Sequence, residues 1–235
     1  MKYLSLALIA GTALAAAQTA GAQGYGSGTG PSTGDWEFRI GPVFVESKTV
    51  DYTGGSTVKL DSNTGVRIGI AYYLTPQFSL GGDFAYSNSK FNATVVGNSS
   101  GIPGLPPNTA TIENGHADFS TFNFTGTYHL LDGPIRPFGV VGLGWNWVST
   151  NIASGPPQTG CWWDPWFGYI CSGYQPTHGS NSFTYQLGAG VQFNFNRQFG
   201  VDVDYKETWV ELHNASGTPG FGSIEAMFIW RFTGY

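Results

Sequence analysis

Ile224-Glu225-Ala226-Met227-Phe228-Ile229-Trp230-Arg231-Phe232, near the end of the 235-residue chain, decides the fold. Side chains of an extended strand alternate between two faces, so Ile224, Ala226, Phe228, Trp230 and Phe232 share one face. Glu225 and Arg231 fall on the other, with Met227 and Ile229 between them. An apolar, aromatic-tipped face backed by charges suits a strand with lipid outside and a polar interior. If this strand spans a membrane, the rest of the chain must supply its partners.

The composition agrees. Only 11% of residues are charged, 16% are aromatic and 35 are Gly, whereas soluble domains carry roughly 25% charge. Lys2, the apolar run Leu4 to Ala17 and Ala20-Gly21-Ala22 before Gln23 have the three parts of a secretory signal peptide. No later run approaches the ~18 apolar residues of a spanning helix. Loss of Lys2 on cleavage leaves 9 Lys+Arg against 15 Asp+Glu, a net charge of −6. With no basic patch, nucleic acid is not an expected partner. The expected division is a signal peptide over 1–22, a flexible Gly-rich segment over 23–35 and a barrel over 36–235.

Seven further alternating segments precede the last. The first places Trp36, Phe38, Ile40 and Phe44 outward and Glu37, Arg39 and Gly41 inward, with a bulge expected at Pro42. Lys48 to Asp61 reads as a hairpin around Thr53-Gly54-Gly55-Ser56. The second segment, Asn63 to Leu74, turns Ile68 and Ile70 out and Arg67 in; the third turns Leu80 and Phe84 out and Asp83 in. A polar loop is expected from Phe91 to Ala117, then a fourth strand with Phe122 and Phe124 outward and Asn123, Thr125 and His129 inward. In the Gly-rich fifth strand, Val141, Leu143, Trp145 and Trp147 are assigned outward. A loop Asn151 to Asn181 follows, then a sixth strand and a seventh with Asp202, Asp204 and Lys206 inward. Short turns at 75–77, 131–134 and 196–198 alternate with longer connections, as periplasmic turns alternate with extracellular loops in outer-membrane barrels. Eleven residues at about 3.3 Å each, tilted by ~40°, cover roughly 27 Å, enough for the apolar band. The fold class is therefore all-β, an eight-stranded antiparallel up-and-down transmembrane barrel with both ends in the periplasm.

Arg136-Pro137-Phe138-Gly139-Val140-Val141-Gly142-Leu143-Gly144 and Phe228-Ile229-Trp230-Arg231-Phe232 are similar to strands of the small eight-stranded outer-membrane barrels, the OmpA-like, OmpX-like and OmpW-like proteins. The last strand also resembles the C-terminal assembly signal of that class, although Tyr235 is out of phase with Phe232. The resemblance implies a Gram-negative outer membrane, contact with its lipids and lipopolysaccharide, and delivery by the barrel-assembly machinery; because the chain stops at the eighth strand, no periplasmic peptidoglycan-binding domain is expected after it. Known members are structural proteins, adhesins, narrow channels or lipid-modifying enzymes, so the fold leaves the function open.

The inward charges Glu37, Arg39, Arg67, Asp83, Asp202, Asp204, Lys206, Glu225 and Arg231 are expected to cluster, Glu37 and Arg39 meeting Glu225 and Arg231 where the first and last strands close the ring. They form either a salt-bridge plug or the lining of a narrow, cation-favouring pore. Cys161 and Cys171 enclose a short loop in an exported chain and are expected to be bonded, with roughly 3 kcal/mol of stabilisation at most. Between them, Trp162, Trp163, Trp166, Phe167 and Tyr169 form either a surface for an extracellular ligand or a cover lying over the mouth or among headgroups. His116, Asp118 and Ser120 share one face at the extracellular rim, the remote basis for a lipid-modifying enzyme. Glu207 follows Tyr205 outward at headgroup level, against the general segregation of charge. Metal and cofactor sites are not expected: two thiols lack a His pair, and no phosphate-cradling loop or nucleophile elbow occurs. A structural or surface-interaction role is the expected function, ahead of a channel.

Overall fold

Strict alternation commits each segment to one two-faced geometry. The computed structural model, which describes residues 29–97, 108–154, 156, 158–174, 176–212 and 215–233, closes the segments into a ring. Its strands are β1 (Asp35–Val45), β2 (Lys48–Asp51), β3 (Thr57–Leu60), β4 (Asn63–Tyr73), β5 (Phe78–Gly97), β6 (Asn108–His129), β7 (Ile135–Ala153), β8 (Gln158–Asp164), β9 (Gly168–Tyr174), β10 (Thr177–Asn194), β11 (Phe199–Val210) and β12 (Gly220–Thr233). The ring runs β1-β4-β5-β6-β7-β10-β11-β12 and returns to β1, every neighbour antiparallel. An eight-stranded closed sheet leaves no edge for another chain to extend. The signal-peptide assignment lies outside the described residues, as do the first part of the Gly-rich segment and Tyr235.

Ile68, Ile70, Leu80, Val141, Leu143, Leu187 and Phe228 are exposed on the outer wall, while Glu37, Arg67, Asp83, Asp202 and Glu225 are buried within. Val141, Leu143, Trp145 and Trp147 all face out, fixing the phase of β7. Aromatic girdles bound the apolar band, as lipid interfaces require. Trp36 lies 5.1 Å from Tyr72, and Trp230 5.7 Å from Phe232, at the periplasmic end. Tyr185 stacks on Trp209 at 5.3 Å at the other. Between the girdles, Leu143→Arg is expected to cost about 2–4 kcal/mol, measurable by urea unfolding in vesicles.

Three expectations change. Pro42 causes no bulge: β1 keeps one register on both sides, from Ile40↔Phe228 to Val43↔Glu225 and from Gly41↔Arg67 to Pro42↔Val66. The loss is confined to the β12 ladder, interrupted at Gly41 and Pro42, because proline removes one donor while Ala226 opposite it is small. A bulge sits instead between β5 and β6, where Asn92 faces Glu113 and Asn114, and the β7–β10 register also shifts between Thr177 and Gly179. Asn114 adopts φ 56°, and its N–H donates to Asn92 Oδ1 at 3.1 Å. Asparagine tolerates this left-handed geometry well, which suits it to the inserted position.

Secondly, much of the expected loops is strand. The β5–β6 pairing continues to Gly97↔Asn108, and most of 151–181 is the end of β7, the β8–β9 hairpin and the start of β10. The β2–β3 hairpin forms as expected, with β3 pairing the upper part of β5. Thirdly, the interior is polar only in part. Phe91, Ala93 and Ala117 are buried on the inner side of these extensions, packed against Val58, Leu60, Ile112, Phe119, Val148 and Ile152. Above the membrane-level ring the extensions cannot bury against lipid, so their apolar side chains face one another.

Candidate functional sites: a charged lumen and an aromatic hairpin

Inward-pointing side chains of eight strands share a space barely wide enough for them, and register decides which charges meet. Glu37 stands opposite Arg231, whose Nε donates to Glu37 Oε2 at 2.7 Å. Tyr73 and Gln192 donate to the same oxygen at 2.9 and 3.3 Å. The other end of Arg231 donates through Nη2 to Asn194 Oδ1 at 2.6 Å. Arg39 lies 3.7 Å from Glu37 and 4.0 Å from Asp202. This lower group joins five neighbouring strands, β4, β1, β12, β11 and β10.

Glu225 belongs to a second group. It stands opposite Val43, well above Arg39 on β1, so the expected Arg39–Glu225 meeting does not occur. Its partners are Arg67 Nη2 at 2.9 Å and Lys206 Nζ at 2.8 Å. Arg67 Nη1 pairs with Asp83, and Lys206 Nζ lies 3.1 Å from Asp204. Arg67 reaches Glu225 across β1, where Gly41 presents no side chain. The ion-paired side chains are at most 9% exposed, so the two groups fill the lower and middle lumen. The sequence reading omitted Arg136 from this set, although it is buried at the periplasmic end, donating to Gln192 Oε1 at 3.1 Å and to the Pro76 carbonyl. Its alternation with Phe138 and Val140 would have found it once the phase of β7 was fixed.

The cysteines are bonded, on directly opposed positions of the β8–β9 hairpin with Cα atoms 4.1 Å apart. This hairpin forms its own two-stranded sheet, separate from the barrel sheet. Asp164 Oδ1 accepts from the N–H groups of Trp166 and Phe167 at 2.8 and 3.0 Å, tying the turn internally. The rings are left outside: Trp163 is 71% exposed, Trp166 88%, Phe167 81% and Tyr169 69%. The Trp162 side chain lies outside the described residues.

The rim triplet does not assemble a relay. Asp118 Oδ1 accepts from the Tyr86 hydroxyl at 2.7 Å and from Asn88 Nδ2 at 2.8 Å. Those bonds, led by Asn88, hold its carboxyl below the usual aspartate range. Among the described residues no hydrogen bond joins His116, Asp118 and Ser120. Glu207 faces outward as expected and accepts from the Tyr205 hydroxyl at 3.0 Å. No group of three metal-ligating side chains occurs among the described residues.

A closed eight-stranded ring with girdles, an ion-paired lumen and extracellular extensions defines a small outer-membrane barrel. The chain belongs to the family described as outer membrane protein beta-barrel domain, whose model matches residues 4–232. It is therefore an outer-membrane protein of the Gram-negative type. Among solved structures it is similar to Neisserial surface protein A, with 12% identity, a TM-score of 0.52, and coverage of 85% of this chain and 98% of that one. It is also similar to Ail of Yersinia pestis bound to the heparin analogue sucrose octasulfate, at 17% identity and TM-score 0.46, covering 85% and 99% of the two chains. OprG of Pseudomonas aeruginosa gives 16% identity and TM-score 0.46, covering 87% and 99%. The likeness to Neisserial surface protein A speaks for the fold alone. A search of curated protein sequences finds no match.

Proposed function

We propose that this is a non-enzymatic surface-interaction protein, adhesin-like in action, whose β8–β9 hairpin docks an extracellular partner. One observation carries the reading: four aromatic rings stand 69–88% exposed on a hairpin cross-linked by its own disulfide. Rigid aromatics offer large contact area at low entropic cost, and the cross-link lowers the ordering penalty further. Export through the signal at 1–22 and insertion by the assembly machinery through β12 complete the route to the surface. The filled lumen supports a closed barrel over the alternative of a narrow solute channel, and the dispersed rim triplet supports a binding protein over a lipid-modifying enzyme.

Display of the full chain on a non-adherent Gram-negative host tests the proposal by adhesion to cultured epithelial monolayers. The double change Trp166→Ala with Phe167→Ala is expected to return adhesion to the background of the host, with surface level and heat-modifiable gel mobility unchanged. Undiminished adhesion would end the assignment to the hairpin. Discrete conductance steps from the wild-type protein in a planar bilayer would favour the channel instead.

A further inference from the structure

The extracellular half of the lumen encloses a cavity of about 480 Å³, in the size range of small-molecule sites. Its wall is predominantly apolar, with Val43, Val58, Leu60, Phe91, Val148 and Phe221 among its lining residues. Arg67 brings the upper ion-pair group to its lower end. The residue is 5% exposed; its two terminal nitrogens serve Asp83 and Glu225, while its Nε is buried and without a partner. Higher on the same inner face of β4, Asn63 also lines the cavity, with a buried Oδ1 that accepts no hydrogen bond. Four residues of strand separate the two, roughly 13 Å.

We infer that this cavity is a binding site for a neutral, single-chain amphiphile, whose hydroxyl or carbonyl head sits at the Arg67 end and whose chain lies against the apolar wall. Water against such a wall is unfavourable, and an apolar chain replaces it. Arg67 already faces Asp83 and Glu225, and Lys206 shares Glu225 with Asp204. Three carboxylates against two cations disfavour a carboxylate or phosphate head, so the neutral head is selected. The ion pairs below close the lower end: the ligand enters from outside and is held, without passage. This site is separate from the aromatic hairpin and stands or falls independently of it.

The test uses the full chain refolded in lipid nanodiscs with a diazirine-bearing hexadecanol, and the matching diazirine-bearing palmitate as the charged comparison. Illumination followed by peptide mass spectrometry is expected to give saturable labelling at Val148 to Ile152 and at Phe91, competed by unlabelled hexadecanol. Ala93→Trp fills the cavity from β5 and is expected to abolish that labelling while leaving the lipid-face labelling intact; Ala117→Trp does the same from β6 should the first variant fail to fold. Labelling confined to the lipid face, lack of saturation, or persistence in the folded filled variant overturns the site. Equal or stronger labelling by the palmitate probe overturns the neutral head.

Discussion

Replacing Glu225 with glutamine is expected to destabilise the barrel by about 3–5 kcal/mol, the range for removing one partner of a buried ion pair. The size follows from what is left behind. Glu225 is the shared acceptor of Arg67 at 2.9 Å and Lys206 at 2.8 Å, so its loss strands part of two buried cations. Asp202→Asn should cost much less. Asp202 has a single ion pair, with Arg39 at 4.0 Å, and Arg39 retains Glu37 at 3.7 Å. Urea-induced unfolding in vesicles, followed by tryptophan fluorescence, compares the two variants directly. Planar-bilayer recording tests the same geometry from another side: wild type and Asp202→Asn should stay silent, while Glu225→Gln should gate intermittently as the loosened Arg67 and Lys206 admit water. Equal stabilities for the two variants would show that Glu225 is not the hub of the upper group.

The facing of the ring strands was legible in the sequence because period two leaves few alternatives once lipid penalises every outward charge. Strand β7 was the hard case: Gly139, Gly142 and Gly144 fall on both faces and dilute the pattern, and with it went the recognition of Arg136. Strand extent was less legible. Above the membrane the alternation in Lys90 to Gly97 and Asn108 to Ala117 no longer separates lipid from lumen, so hairpin extensions look like loops until Phe91, Ala93 and Ala117 are seen to share a small core. Arg136 apart, which charges would be inside was clear, and so was the meeting of Glu37 with Arg231; the partners of Glu225 were not. Pairing across β1, as Arg67 does to reach Glu225, depends on register between three strands, and no local pattern encodes that. The bulge was assigned to Pro42 because proline cannot donate, yet an outward proline opposite Ala226 loses only a local part of one ladder. The disulfide needed less: two cysteines, a short loop and an oxidising compartment were enough.

The lumen is divided rather than uniform. Below Arg67 it is ion-paired, and above Arg67 it is apolar and open toward the extensions. Each half limits the other's role. The lower half is filled by ion-paired side chains, which leaves it poorly suited to a solute path; the upper half is closed toward them, which suits retention. The aromatic hairpin stands apart from both, so changes at Trp166 or Phe167 should leave barrel stability almost untouched.

Gly144→Val is expected to prevent stable folding, at a cost of at least about 3 kcal/mol, the upper part of the range for overpacking. Gly144 faces inward on β7, opposite Asn123 of β6 and Thr184 of β10. The Thr184 hydroxyl donates to Asn123 Oδ1 at 3.1 Å, so the flanking side chains meet over the glycine. A Cβ here would collide with the carbonyl oxygen of Phe122 and lie 2.8 Å from Asn123 Cα. Those are backbone atoms, which can yield only if β6 and β7 separate, and separation gives up ladder hydrogen bonds in a bilayer that offers no water in return. Gly139→Ala in the same strand is the control: its Cβ would find only the Gly188 carbonyl oxygen, at 3.9 Å, which is ordinary contact. Heat-modifiable gel mobility after refolding into vesicles should show Gly139→Ala folded like the wild type and Gly144→Val largely unfolded. If the two variants fold equally well, the close approach of β6 and β7 at Gly144 is not what holds this part of the ring in register.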